Sequence, residues 1–158
     1  MRGRRFAPAS WAVRPRELKF TKMEPQIMPK TIQQSVTLPG SAGRLFEMYL
    51  DPKIHGAFTG APVTISPDPG SEFRAFNGAL SGRMLHTVPK RLIVQSWRSN
   101  HWSADDLDST LVLTFWPSGD SGRIELVHVN VADHDVQGVM EGWEKYYWKP
   151  WRQYLKKM

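Results

Sequence analysis

The sequence predicts an α+β domain: a curved antiparallel sheet of about six to seven strands, two short helices, and one long C-terminal helix laid against the sheet. Three observations carry this. Between residues 31 and 131, short strand-like segments recur at intervals of about 8–12 residues with turn signals between them. Beyond Asp133 the alternation stops, and Val136, Met140, Trp143, Tyr147, Trp151 and Tyr154 recur at helical spacing. Two helix starts, Ser41 and Asp51-Pro52, follow directly on the first strand.

Taken in order, Thr31 to Leu38 is a strand with Ile32, Gln34, Val36 and Leu38 on one face. Pro39-Gly40 breaks it. Ser41 caps a helix to about Leu50, with Leu45, Phe46, Tyr49 and Leu50 as its buried stripe. Asp51-Pro52 starts a second, which Thr59-Gly60-Ala61-Pro62 ends. Val63 to Ser66 is a short strand before the turn at Pro67-Asp68-Pro69-Gly70. Ser71 to Phe76 and Leu80 to Val88 form a hairpin about Asn77-Gly78. Pro89-Lys90 turns the chain into Arg91 to Arg98, and a polar loop covers Ser99 to Asp108. Ser109 to Trp116 and Arg123 to Val131 make a last hairpin around a six-residue loop, Pro117 to Gly122. In the C-terminal helix, Asp133 or Asp135 supplies a carboxylate at the start, and Pro150 predicts a kink. Gly138 and Gly142, four apart, let something approach the helix backbone closely.

Composition narrows the classes. The chain has 158 residues, no cysteine, and no apolar run long enough to span a membrane. Its net charge is +6, but eight of its 21 Lys and Arg and only two of its 15 acids fall in residues 1–30. Thirteen of each remain in residues 31–158, so the fold carries no basic surplus and nucleic acid is not an expected partner. Residues 1–30 read as a basic N-terminal extension and 31–158 as the domain. Three readings fit the extension: an upstream start with Met23 or Met28 as the true beginning, a disordered arm, or an Arg-rich transit peptide.

Several local motifs narrow the fold further. Asp51-Pro52 with Phe58-Thr59-Gly60, Pro89-Lys90-Arg91-Leu92 leading to Ser96-Trp97-Arg98, Ser109 to Phe115, and Gly142-Trp143 with Tyr147-Trp148 and Pro150-Trp151 stand in a fixed order. In these the chain resembles homologues of the activator of the heat-shock-protein-90 ATPase, within the START-like, polyketide cyclase and birch-pollen-allergen superfamily of helix-grip folds. The resemblance covers about residues 31–157. It implies a cytoplasmic, chaperone-associated or stress-response setting, with heat-shock protein 90 as a possible partner. The co-chaperones that give the family its name add a separate N-terminal domain, for which 30 residues are too few, so a strong ATPase-activating role is not expected.

A helix laid over a curved sheet leaves a hollow, and the expected ligand is a hydrophobic or aromatic small molecule. The candidate lining is Phe58 at the end of the second helix, Phe73, Met84, His86, Trp97 and Phe115 on strands, and Trp143 and Tyr147 on the long helix. Which strand faces point inward is open, since Arg91–Arg98 is apolar on both. His86 and His128 are candidates to orient a polar ligand group or shuttle a proton. Asp133-His134-Asp135 with His128, and Asp105-Asp106-Asp108 with His101, read as helix-start and solvated-loop clusters rather than metal sites, and no cofactor is expected. No nucleophile elbow, zinc motif or phosphate loop is present. A non-enzymatic binder is therefore the first reading, a co-chaperone the second, and a cyclase or hydrolase with Asp51 or Glu47 as general base the third. Exposure of Trp148 or Trp151 would favour a homodimer.

Overall fold

The computed structural model describes residues 28–158. Of the basic extension expected over 1–30, residues 1–27 lie outside the described residues. The first strand, β1 (Lys30–Leu38), buries Ile32, Val36 and Leu38 on its inner face. Two helices follow, α1 (Ala42–Leu50) and α2 (Pro52–Thr59). Ser41 Oγ accepts from the Arg44 N–H and so caps α1 (3.2 Å). Asp51 does the same for α2, its Oδ1 accepting from the N–H groups of Lys53 and Ile54 (2.8 and 3.2 Å).

Six strands come next: β2 (Val63–Thr64), β3 (Glu72–Ala75), β4 (Leu80–Val88), β5 (Leu92–Ser99), β6 (Ser109–Ser118) and β7 (Ser121–Val131). With β1 they form one seven-stranded antiparallel sheet in the order β1-β7-β6-β5-β4-β3-β2. The inner face is now fixed. It carries Ile93, Gln95 and Trp97 from β5, Leu111, Leu113 and Phe115 from β6, and Ile124, Leu126 and His128 from β7.

Two irregularities bend the sheet. Met84 pairs with Gln95 while His86 pairs with Val94, so Leu85 is an extra residue and β4 bulges there. Asn130, at a φ of 62°, marks a second bulge opposite β1. Gly82 sits where β4 and β5 come closest, and a Cβ there would overlap the Ser96 carbonyl. The expected six-residue loop after β6 is instead a two-residue turn, because Pro117 pairs with Gly122 and Ser118 with Ser121. Proline is tolerated at 117 because β5 has ended by then. The Phe115 N–H, two residues back and pointing the same way, already bonds to Arg91, before β5 begins (2.9 Å).

The C-terminal helix runs across the inner face as α3 (Val136–Trp143), a π turn (Glu144–Trp148) and α4 (Lys149–Lys156). Backbone angles stay helical through both junctions, so it is one rod. The kink expected at Pro150 is replaced by the π turn just before it. The Lys149 N–H bonds to Glu144, five residues back, and the widened turn accommodates a proline that cannot donate to Tyr146.

The same turn alters the buried stripe. Val139, Trp143, Tyr147, Trp151 and Leu155 are buried, a row of strict four-residue steps that drifts about 40° per step on an ideal α-helix. A wider turn winds part of that drift back and brings Trp148 inward as well. Met140, expected in the stripe, is exposed. Gln34 of β1 then fastens the rod: its Nε2 donates to the Met140 carbonyl (3.1 Å) and its Oε1 accepts from Trp148 Nε1 (2.8 Å). The Met140 carbonyl is available because the Glu144 N–H bonds to Glu141 instead.

Candidate functional site

Half of the space between sheet and rod is filled with aromatic rings. Phe58 stacks on Trp151 at 4.5 Å with planes 3° apart, and Trp148 lies between Trp151 and Trp143 at 6.4 and 5.3 Å. Phe46 meets Phe115 edge-on at 5.5 Å. The solid half is therefore the part beneath α4, packed against α1 and α2. Trp148 and Trp151 are both buried, which removes the surface tryptophans on which the dimer expectation rested.

Several polar groups inside this half are paired, while Gln95 Nε2 and Trp151 Nε1 have no partner among the described residues. His55 of α2 is fully buried, and its Nδ1 donates to the Tyr49 carbonyl (2.7 Å), which can only accept. Its Nε2 is then the acceptor for the Tyr147 hydroxyl (3.2 Å). The Tyr49 hydroxyl donates to Gln95 Oε1 (3.0 Å). Burial holds the His55 pKa down at about 4, against a smaller opposing effect of the bond to Tyr49, and pushes the Tyr147 hydroxyl up. Sequence reading passed over His55 because a lone histidine on a short helix carries no pattern.

Beneath α3 the packing opens into a hollow of about 460 Å³. The rod contributes Gly138, Val139, Gly142, Trp143, Tyr146 and Tyr147. Phe76, Ala79, Leu80 and Trp97 face them from the sheet side, and Ser99, His101 and Asp135 close one end. The two glycines noted in the sequence are the positions where the rod's backbone borders the hollow. At Gly142 a Cβ would meet only Tyr146, at an ordinary 3.7 Å.

Trp97, Trp143 and Tyr147, of the expected lining, meet here. The remaining five stand elsewhere. Phe58, Phe73, Met84 and Phe115 belong to the solid core. His86 is exposed on the outer face, because the bulge at Leu85 reverses the alternation that starts from Met84. Glu47 is exposed and Asp51 is committed to capping α2; neither borders the hollow. The rim residues Phe76 and Tyr146 escaped sequence reading, although the turn signal at Asn77-Gly78 marked their neighbourhood. Phe76 and Asn77 both have positive φ, 50° and 55°, a strained placement for a bulky side chain. The Phe76 ring rests on Tyr146 (5.6 Å) and Tyr147 (6.0 Å).

The floor is held by an ordered chain of hydrogen bonds. Trp143 Nε1 donates to His128 Nδ1 (3.3 Å), His128 Nε2 donates to Ser109 Oγ (2.7 Å), and Ser109 donates to the Trp97 carbonyl (2.7 Å). His128 and Ser109 each accept one bond and donate one, which fixes His128 as a neutral ring. Burial accordingly lowers its pKa to about 3. His128 thus positions the two tryptophan walls and does not itself border the hollow. The loop between β5 and β6 closes the polar end. Trp102 Nε1 donates to Asp135 Oδ2 (2.8 Å), and His134 Nε2 meets Asp106 Oδ2 (2.8 Å). That bond raises the His134 pKa and lowers that of Asp106. Among the described residues no three His, Asp or Glu side chains gather as a metal site would require.

Comparison with known proteins agrees with this architecture. The family described as "Activator of Hsp90 ATPase homolog 1-like protein" matches residues 40–156. The human "Activator of 90 kDa heat shock protein ATPase homolog 1" is 27% identical over 109 residues, covering 69% of this chain and 32% of its own length. The chain thus spans about a third of the curated relatives it matches. Among solved structures, an HSP90 activator from Plasmodium falciparum superposes with a TM-score of 0.66 at 17% identity, covering 74% of this chain and 89% of that one. A Mesorhizobium loti protein gives 0.71 at 16%, covering 82% and 98%. At these identities the structural likeness speaks for the helix-grip fold alone.

Proposed function

The chain belongs to the family of Activator of Hsp90 ATPase homolog 1-like proteins, and on that footing we propose that it binds a hydrophobic or aromatic small molecule in the hollow beneath α3. One observation carries the reading: packing solid enough to stack Phe58 on Trp151 leaves about 460 Å³ unfilled a short distance away. The walls there are held in place by the His128 chain, so a guest meets a formed site. The reading is non-enzymatic, because the buried histidines are locked into neutral, structural bonds.

A thermal-shift screen against lipids and aromatic metabolites tests it. A true guest at a hundred times its Kd should raise Tm by roughly 5–10 °C. A broad screen in which no apolar compound raises Tm counts against the proposal.

A second reading, a cytoplasmic partner of heat-shock protein 90, draws on the names of the relatives and on the outer face of the sheet. Val94, Val112 and Val127 align there across β5, β6 and β7, next to the exposed Leu85 and Val88. It is separated from the first by whether the chain raises ATP turnover of that chaperone. No helix among the described residues is long and apolar enough to cross a membrane.

A further inference from the structure

The hollow has two chemically different ends, and from this we infer that its ligand is a flat aromatic compound carrying an ammonium group. The inference rests on the ligand-binding reading above and names the class of guest. Asp135, Gly138, Gly142 and Tyr146 follow one another along the rod, so the hollow extends along it for about 16 Å, taking the 1.5 Å rise per residue. At the Tyr146 end the surroundings are rings: Phe76, Tyr146 and Tyr147, with Trp97 and Trp143 as walls. At the other end stand Ser99, His101 and Asp135: the His101 N–H donates to Ser99 Oγ (3.3 Å), and Trp102 bonds through its backbone N–H to the Ser99 carbonyl (3.1 Å) and through its indole to Asp135.

Among the described residues, the only charged side chain of fixed sign on the lining is the Asp135 carboxylate. No Lys or Arg borders the hollow, and none lies within 4 Å of Asp135 among the described residues. One oxygen, Oδ2, is engaged by Trp102; Oδ1 lies over Gly138, where any side chain would press on it. Glycine at 138 therefore leaves that oxygen uncovered. A carboxylate ligand would meet repulsion and, among the described residues, no compensating cation. An ammonium would meet a charge-assisted acceptor, and the indole faces of Trp97 and Trp143 favour a cation near them.

Matched probes separate the charge from the ring. At pH 8 we expect tryptamine to bind at least ten-fold tighter than indole-3-propionate, which has the same ring and chain length. The neutral probe N-phenyl-1-naphthylamine reports on the hollow itself. In Asp135→Asn, which keeps an acceptor for Trp102, the preference for the amine should vanish. Equal binding of the two indoles, or tighter binding of the acid, overturns the inference while a bound neutral probe leaves the ligand-binding reading standing. A preference that survives in Asp135→Asn also overturns it. If none of the three compounds binds, both readings fall together.

Discussion

Acidification from pH 7 to pH 4.5 should remove about 5 kcal/mol of stability, a large share of the roughly 5–15 kcal/mol typical of a folded domain. The cause is the pair of buried neutral histidines. In the folded chain the His55 ring takes up a proton only near pH 4 and the His128 ring only near pH 3. In the unfolded chain both do so near pH 6.5. Between these values the unfolded state binds more protons, so acid favours it; the stability is complete above about pH 6.5 and declines as pH falls toward the folded values. Neither ring has room for a second N–H. His55 Nε2 already accepts from Tyr147, and His128 Nδ1 from Trp143. Chemical denaturation at pH 7 and 4.5, on the wild type and on His128→Asn, measures this. The variant should lose about half of the acid sensitivity, and equal sensitivity in both proteins would contradict the assignment.

Trp151→Ala should destabilise the fold by about 3–5 kcal/mol and lower Tm by more than about 10 °C. Trp151 is completely buried, with Phe58 stacked flat against one face and Trp148 and Tyr49 close by. Its removal leaves a void bounded by α1, α2 and the sheet, elements too firmly tied to close it. Trp116, nearly half exposed on the outer face, provides the contrast: its replacement by Ala should change stability by less than about 0.5 kcal/mol. A loss below about 1 kcal/mol for Trp151→Ala would mean that the aromatic half of the interior is looser than these stacking distances imply.

The architecture was legible in the sequence because its signals are local. Alternation in β1, β6 and β7, the caps at Ser41 and Asp51, and the helical recurrence after Asp133 each depend on a few neighbouring residues. What escaped depends on long-range fit. The inner face of β5 was ambiguous because Leu92 and Val94 are apolar as well; they form part of an outer face that is only half covered. His86 was a candidate alongside Met84, and a single extra residue at Leu85 turns it to the outer face. Pro150 announced a disturbance in the rod, but only the packing of Trp148 and the bond from Gln34 show that it takes the form of a π turn.

The site was legible in part for the same reason. Trp97, Trp143 and Tyr147 were reached from strand and helix patterns, and Gly138 with Gly142 from their spacing. Phe76, His101 and Asp135 come to the hollow from a turn, a loop and a helix start, where no periodicity operates. Asp135 was read as a helix-start carboxylate, yet its oxygen bonds to Trp102 from the facing loop and makes no cap.

That a guest sits in the hollow is tested most directly by Gly142→Leu. A Cβ at 142 meets only Tyr146, at an ordinary 3.7 Å, and leucine forms helix better than glycine by roughly half a kcal/mol or more, so the variant should be no less stable than the wild type. The measurement is a fluorescence titration with N-phenyl-1-naphthylamine. We expect saturable one-to-one binding to the wild type and at least a ten-fold weaker response in Gly142→Leu, with Tm unchanged or raised. Equal binding by both proteins would place the probe elsewhere and contradict the account.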